Sequence, residues 1–226
     1  MKIAILTAQA GNKGQIEDPK NGGFSSADYY AFTDKPLNLS VWHTRPTYNF
    51  SSETLFKDRR HAKLPKILGW LLVPGYDYYI WHDSVCDVAQ DPREIVQTYL
   101  NHNIDIAFWP HPHRDCSYQE CDTVELFHKE SSYNVTATRQ FLLDQQWPRH
   151  SGMFELSSFV YRNNSRMQAA MLSWWELVCR YSSRDQILWP FVIKQHQLNY
   201  VLMQGWAQAY AGNNHIIPQV RPNWHV

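Results

Sequence analysis

The stretch YDYYIWHDSVCDVAQDP, Tyr76–Pro92, decides the fold. Aromatic and aliphatic residues from Tyr78 to Trp81 read as a buried strand, and the run ends abruptly on His82, Asp83 and Ser84. Directly after it, Asp91 stands where an N-cap belongs, Pro92 fits the first helical position, and Glu94 completes a capping box. A buried strand feeding a capped helix is half of a βαβ unit. A carboxylate at the end of such a strand must face solvent or a cation, because an unpaired buried charge costs several kcal/mol.

The same pattern extends outward in both directions. Lys2–Ala8 is an aliphatic run that reads as a first strand, Gly11–Ser26 reads as a loop, and Tyr29–Thr33 and Leu39–His43 read as strands. Residues 58–73 place Ile67, Leu68, Leu71 and Leu72 at helical spacing, with the helix proper expected to begin at Pro65. Further strands are expected at Ile104–Trp109 and Glu155–Tyr161. Helices are expected at Val135–Gln146, from Asn164 through Met167, Met171, Trp174 and Val178, and from Ser182 or Ser183 to about Met203. Alternating strands and helices give an α/β class with a mostly parallel central sheet flanked by helices. No linker, repeat or low-complexity tract divides the 226 residues, so one domain over 1–226 is expected.

Composition narrows the function classes. Lys plus Arg is 21 and Asp plus Glu is 21, a net charge of zero that disfavours a nucleic-acid partner without excluding a local basic groove. Ten Trp, thirteen Tyr and ten Phe supply a large core and also flat faces suited to sugar rings or bases. Four cysteines without a CxxC pair suit reduced thiols. No apolar run approaches the roughly eighteen residues of a membrane span, and the N-terminal run is too short for a signal segment. A cytoplasmic protein is expected, and sequons at Asn38, Asn49, Asn134 and Asn163 carry little weight in that setting.

Ligands of open α/β sheets sit at the carboxyl ends of the strands. Asp34, Asp83 and the pair His111 and His113 each follow an expected strand and should therefore converge. DRRHAKLPK gathers Arg59, Arg60, Lys63 and Lys66, which suits a diphosphate or else a solvated helix face. WPHPHRDCSYQEC offers His111, His113, Cys116 and Cys121, to be weighed as a structural zinc site, as loop packing or as acceptor lining. WWELVCRYSSRDQ ends one helix and opens another. There Asp185 is either a capping carboxylate or, with Arg180, Arg184, Trp174 and Trp175 nearby, a base or sugar-orienting group.

Taken in order, FTD (Phe32–Asp34), RHAKLPK (Arg60–Lys66), YYIWHDSV with the following DP (Asp91–Pro92), HPHRDCSYQE (His111–Glu120) and WWELVCRYSSRDQ (Trp174–Gln186) resemble a known family across residues 30–195. It is the glycosyltransferase-like domain, formerly of unknown function, found in plant cell-wall and mucilage proteins and in many bacteria. The resemblance implies a single GT-A-like, Rossmann-like domain that moves a sugar from a nucleotide-sugar donor to a hydroxyl of a glycan, lipid-linked sugar or modified base. It places Asp34 near the donor's base or ribose, Arg60, Lys63 and Lys66 near its phosphates, and Asp83 with Ser84 at the Asp-x-Asp position. Asp185 and Gln186 fall at the catalytic sugar or acceptor end, with Asp83 a third catalytic candidate. His111, His113, Arg114, Glu155, Trp174, Trp175 and Arg184 line the acceptor or sugar side. A divalent cation, manganese or magnesium, is implied at Asp83, although His82-Asp83-Ser84 keeps only one acid. The chain is little longer than the family core, so anchors and long additions are not expected. The rivals are an inactive sugar-binding domain of the same fold, a zinc-stabilised binding module built on His111, His113, Cys116 and Cys121, and an enzyme that glycosylates a hydroxymethylated base in DNA.

Overall fold

The computed structural model describes residues 1–11, 15–47, 57–101 and 103–203. The sequon at Asn49, residues 12–14 of the expected loop and residues 204–226 of the expected domain lie outside them. Seven strands form one sheet: β1 (Ile3–Gln9), β2 (Asp28–Thr33), β3 (His43–Pro46), β4 (Tyr78–His82), β5 (Ile106–Pro110), β6 (Phe154–Arg162) and β7 (Tyr200–Leu202), in the order β3-β2-β1-β4-β6-β5-β7. All adjacent pairs are parallel except those of β6, which runs antiparallel to both β4 and β5. The mostly parallel α/β sheet expected from the sequence is the one observed. Its reversed strand has a consequence for the site, because β6 begins where the parallel strands end.

Both faces of the sheet are covered, which is why β1 is buried at every position rather than alternately. Leu6, Tyr79, Trp81, Phe108 and Phe159 pack on one face beneath α1 (Lys57–Leu72), α3 (Ser117–Leu126), α4 (Ser132–Asp144), α5 (Ser165–Arg180) and α6 (Trp189–Gln195). Ile5, Ile80, Ala107 and Val160 pack on the other, against α2 (Pro92–Tyr99), Trp42 and Val88. Asp91 caps α2 by accepting the Arg93 N–H at 2.8 Å, as its position in the sequence suggests.

Four local expectations are corrected. The α1 helix starts at Lys57, not Pro65; Pro65 sits inside it, and the helix breaks at Leu68 (φ −104, ψ 22), three residues beyond the proline that cannot donate to the preceding turn. The third strand is the exposed edge His43–Pro46, because Leu39, Val41 and Trp42 pack against the face of the sheet instead of joining it. The last expected helix begins only at Trp189, where Pro190 fits a first turn but would interrupt a helix arriving from Ser183. That helix also gives way to β7. Finally, the Cys116–Glu120 segment, read as a loop, forms helix α3, whose Tyr118, Cys121 and Val124 are buried at three-residue spacing.

α1 lies so close to β1 that a Cβ built on Gly69 would overlap Leu6 Cδ1. Leu6 is fully buried in the core. Alanine at position 69 should gain about 0.5–1 kcal/mol in helix propensity. Overpacking should cost about 1–3 kcal/mol. We therefore expect Gly69→Ala to lower stability in urea unfolding, and Leu6→Val to restore part of the loss when the two are combined. An additive double mutant would show that the contact is not the cause.

Candidate functional site

The carboxyl edge of the sheet gathers the loops after β1, β2, β4 and β5, together with the first residues of β6. Asp34, just after β2, accepts the Gly11 N–H at 2.7 Å and so joins the first two loops. Gly11 has φ +71, and a Cβ there would meet the Asp58 carboxylate at 2.5 Å, so this turn requires glycine. After β4, Asp83 is held by its own strand: the Trp81 indole N–H, on the same face two residues earlier, donates to Asp83 Oδ1 at 2.9 Å. Its side chain is still 38% exposed, which leaves the carboxylate open to a ligand. Ser84 follows in a turn closed by the Cys86 N–H on the Asp83 carbonyl.

Below Asp83 lies a buried charge array. Lys66 Nζ reaches Asp185 Oδ2 at 2.6 Å and stands 3.8 Å from Asp83 Oδ1, while Lys63 Nζ meets Asp185 Oδ1 at 3.0 Å. Lys66 and Asp185 are almost wholly buried. Lys66 also lies 5.8 and 5.9 Å from the rings of Trp81 and Phe159, whose faces help replace lost hydration. Burial alone would raise the Asp185 carboxyl, but the two lysines outweigh it and hold the group well below the usual carboxylate range. Burial would lower the Lys66 ammonium, but Asp185 and Asp83 hold it above its ordinary value. Lys63 comes down to about 8, because burial and the Lys66 charge outweigh its carboxylate neighbours. Two of the three cations expected at donor phosphates thus already neutralise carboxylates, and the third, Arg60, turns its Nε toward the Val178 carbonyl at 3.5 Å.

The turn at 182–188 brings Asp185 to this edge. Trp174, fully buried and packed on Trp189 with centroids 4.4 Å apart, donates its indole N–H to the Asp185 carbonyl at 2.9 Å. Gln186 donates to the Phe154 carbonyl at the start of β6. Trp174 therefore acts through the backbone it positions, and Trp175 is half-buried against the core. Asp185 lies in a turn ahead of α6, not in a first helical turn. On the far side, buried Glu130 accepts from the Ser183 N–H at 2.7 Å and from the Ser183 hydroxyl at 2.6 Å, fastening this turn to the start of α4.

After β5, His111 Nδ1 accepts the backbone N–H groups of His113 and Arg114. Burial and the charges of Arg114, His113 and Arg184 pull the His111 imidazole down to about 4. Arg114 pairs with the buried Glu120 at 2.5 Å. Cys116 and Cys121 point into the core, where burial pushes the Cys121 thiol up to about 12. Among the described residues no three His, Cys, Asp or Glu side chains are grouped as metal ligands, so a zinc module on His111, His113, Cys116 and Cys121 is not built here. Glu155 lies within electrostatic reach of Asp83, and burial, with the Asp83 charge, raises its carboxyl. The roles of Trp81 and Glu130 are not evident from sequence. The two-residue spacing from Asp83 is a signal that could identify the first, but nothing local marks a glutamate that acts fifty-three positions away.

This arrangement sits in a glycosyltransferase-like domain. A family model described as TOD1/MUCI70, glycosyltransferase-like domain, matches residues 48–205, and the chain belongs to that family. Its fold is the α/β one, a mostly parallel sheet flanked by helices, that the resemblance implied. No curated protein matches the chain by sequence. Among solved structures it is similar to a glycosyltransferase involved in glycosylation of the major capsid of PBCV-1 (11% identity, TM-score 0.44, covering 90% of this chain and 81% of that one). It is also similar to apo mouse xyloside xylosyltransferase 1 (8% identity, TM-score 0.47, covering 89% and 84%).

Asp185→Asn tests the buried array. Removing the one charge that both lysines share leaves two buried ammonium groups without a full partner, a loss expected to cost about 3–5 kcal/mol. A simple capping role predicts near neutrality instead, since Asn caps about as well as Asp. The pH dependence has a fixed sign. Because the folded carboxyl is depressed, its stabilisation is present above the ordinary aspartate value of about 3.9 and is lost as pH falls below it. Chemical denaturation from pH 7 to pH 3 should show a steeper acid loss in wild type than in Asp185→Asn, and parallel curves would remove the array from the stability account.

Proposed function

We propose that this domain transfers a sugar from a nucleotide-sugar donor to an acceptor hydroxyl at the carboxyl edge of its sheet. The observation that carries this reading is the partly exposed Asp83 carboxylate, fixed by Trp81 and standing on the buried Lys66–Asp185 pair, in a chain of this family. Fixed charge in a site closed to water costs no reorganisation during reaction, and in many enzymes it supplies most of the transition-state stabilisation. Asp185, strongly ionised and enclosed by two lysines, makes a poor proton acceptor and a good electrostatic anchor. The acceptor's proton is therefore left to another group or to solvent, and Gln186 and Trp174 serve by holding the anchor's backbone. Asp34, Ser84, His111, His113 and Arg114 line the same edge and supply polar contacts for donor and acceptor.

A divalent cation fits beside Asp83. Magnesium and manganese are commonly held by one or two carboxylates, with substrate phosphates and water completing the sphere. Asp83 would be the carboxylate that holds it, and Glu155, whose carboxyl is raised first by burial and then by the Asp83 charge, is the second acid within electrostatic reach. Once bound, the ion would neutralise charge on the departing nucleoside diphosphate. We place the protein in the cytoplasm: its four cysteines are unpaired, and among the described residues no helix is long and apolar enough to cross a membrane.

Thermal-shift screening of nucleotide sugars with and without manganese should reveal the donor, since a ligand that binds only the native state raises Tm. With that donor in hand, Asp83→Asn should lower turnover by about two to three orders of magnitude. Activity that survives EDTA in wild type, while Asp83→Asn is inactive, would assign Asp83 to the donor's hydroxyls and remove the cation. Binding of a nucleotide sugar with neither transfer nor hydrolysis would identify an inactive sugar-binding domain.

A further inference from the structure

Beyond the Asp83 array, the turn at 182–188 meets a second group of charges, four cations against the two carboxylates of Glu120 and Glu130. Arg59 Nη1 donates to the Ser183 hydroxyl at 3.0 Å and lies 4.0 Å from Glu130, and Arg114 is paired with Glu120. Arg59 Nη1 also donates to the Lys129 carbonyl at 2.5 Å, which brings the Lys129 loop to the residue before Arg184, and among the described residues neither Lys129 nor Arg184 makes an ion pair within 4.0 Å. Arg184 Nε is shut off from water and has no hydrogen-bond partner among the described residues. Burial, and then the Arg184 charge, pull Arg59 down to about 10 and lower Lys129 as well, so Arg184 lies within electrostatic reach of both. The turn's hydrogen bond at this position is made by the backbone, the Arg184 N–H donating to the Ser182 hydroxyl.

From this placement we infer that Arg184, Lys129 and Arg59 form an anion site for a phosphate ester or diphosphate, distinct from the Asp83 array. Two cations without a carboxylate ion pair, Lys129 facing only the Phe127 ring at 5.5 Å, call for about two negative charges, which a phosphate carries near neutral pH and a single carboxylate does not. The guanidinium fork of Arg184 can meet two phosphate oxygens at once, while Lys129 contributes a point charge at close range. The phosphate could come from the donor's diphosphate or from a phosphorylated acceptor. The anion site does not depend on the transfer reaction.

Pyrophosphate is the probe. Calorimetric titration of the full chain at low salt should show binding that weakens as salt is added. Affinity should fall about tenfold or more in Arg184→Gln and, separately, in Lys129→Gln, the ratio expected from losing one charge-assisted contact. Lys129 belongs to a different loop, so its variant keeps the test informative if Arg184→Gln does not fold. Arg93→Gln on α2, across the sheet, should leave binding unchanged. A parallel titration with nucleoside diphosphates separates the sources. An equal loss in the Arg184 variant assigns the site to the donor, and unchanged nucleoside diphosphate binding assigns it to an acceptor phosphate. Failure of millimolar pyrophosphate to bind wild type, or equal affinity in wild type and both variants, overturns the inference. Because the readout is binding, a protein that binds pyrophosphate through Arg184 yet transfers no sugar would refute the proposed function alone.

Discussion

The structure around the site depends on one contact, the buried ion pair of Lys66 and Asp185 at 2.6 Å. It joins the middle of α1 to a turn far along the chain, and it places a positive charge under Asp83 at the end of β4. A buried pair of this kind seldom adds net stability, because desolvation offsets the Coulomb gain, and apolar residues of the same volume commonly do as well. What the pair contributes is a fixed charge in a fixed place. The aromatic rings of Trp81 and Phe159 lower the cost by facing the ammonium. The Trp174 indole, by holding the Asp185 carbonyl, keeps the carboxylate from swinging away.

Sheet topology explains why so many polar groups meet at this edge. In a wholly parallel sheet only strand ends and the helix starts after them would reach it. Because β6 runs backwards between β4 and β5, its first residues, Phe154 and Glu155, reach the same edge. Gln186 anchors the 182–188 turn on the Phe154 carbonyl, and Glu155 comes near enough to Asp83 to sense its charge. One reversed strand thus supplies both an attachment point and a second acid, in a chain whose HDS triplet has only one.

The fold was largely legible from the sequence, and the site was legible in part. Strand-end residues Asp34, Asp83 and His111 were readable because a buried run that stops on a polar group signals its own edge. The capped start of α2 was readable because Asp91 and Pro92 act within one turn. Pairings across long separations were not. RHAKLPK announces positive charge, but nothing within it says that Lys63 and Lys66 turn inward to Asp185 instead of outward to a ligand. The His and Cys residues of His111–Cys121 suggested ligands, yet three-residue periodicity from Tyr118 to Val124 already recorded a helix that carries Cys121 into the core. Pro190 likewise marked the true start of α6.

The two charge groups differ in a way that bears on function. In the Asp83 array each ammonium has a carboxylate within 4.0 Å, so the set is electrically closed and can hold its geometry with nothing bound. Around Arg184 the balance is open: Glu130 and Glu120 pair with Arg59 and Arg114, and among the described residues neither Arg184 nor Lys129 makes an ion pair within 4.0 Å. A closed set suits preorganisation, since its orientation is settled before any substrate arrives. An open set suits recognition, because its excess positive potential attracts an anion and is relieved when one binds. The same turn carries Asp185 in the closed set and Arg184 in the open one, side by side in the chain. Any anion that draws Arg184 toward itself therefore pulls on the backbone that fixes Asp185, and the Trp174 and Gln186 hydrogen bonds are the restraints that oppose the shift.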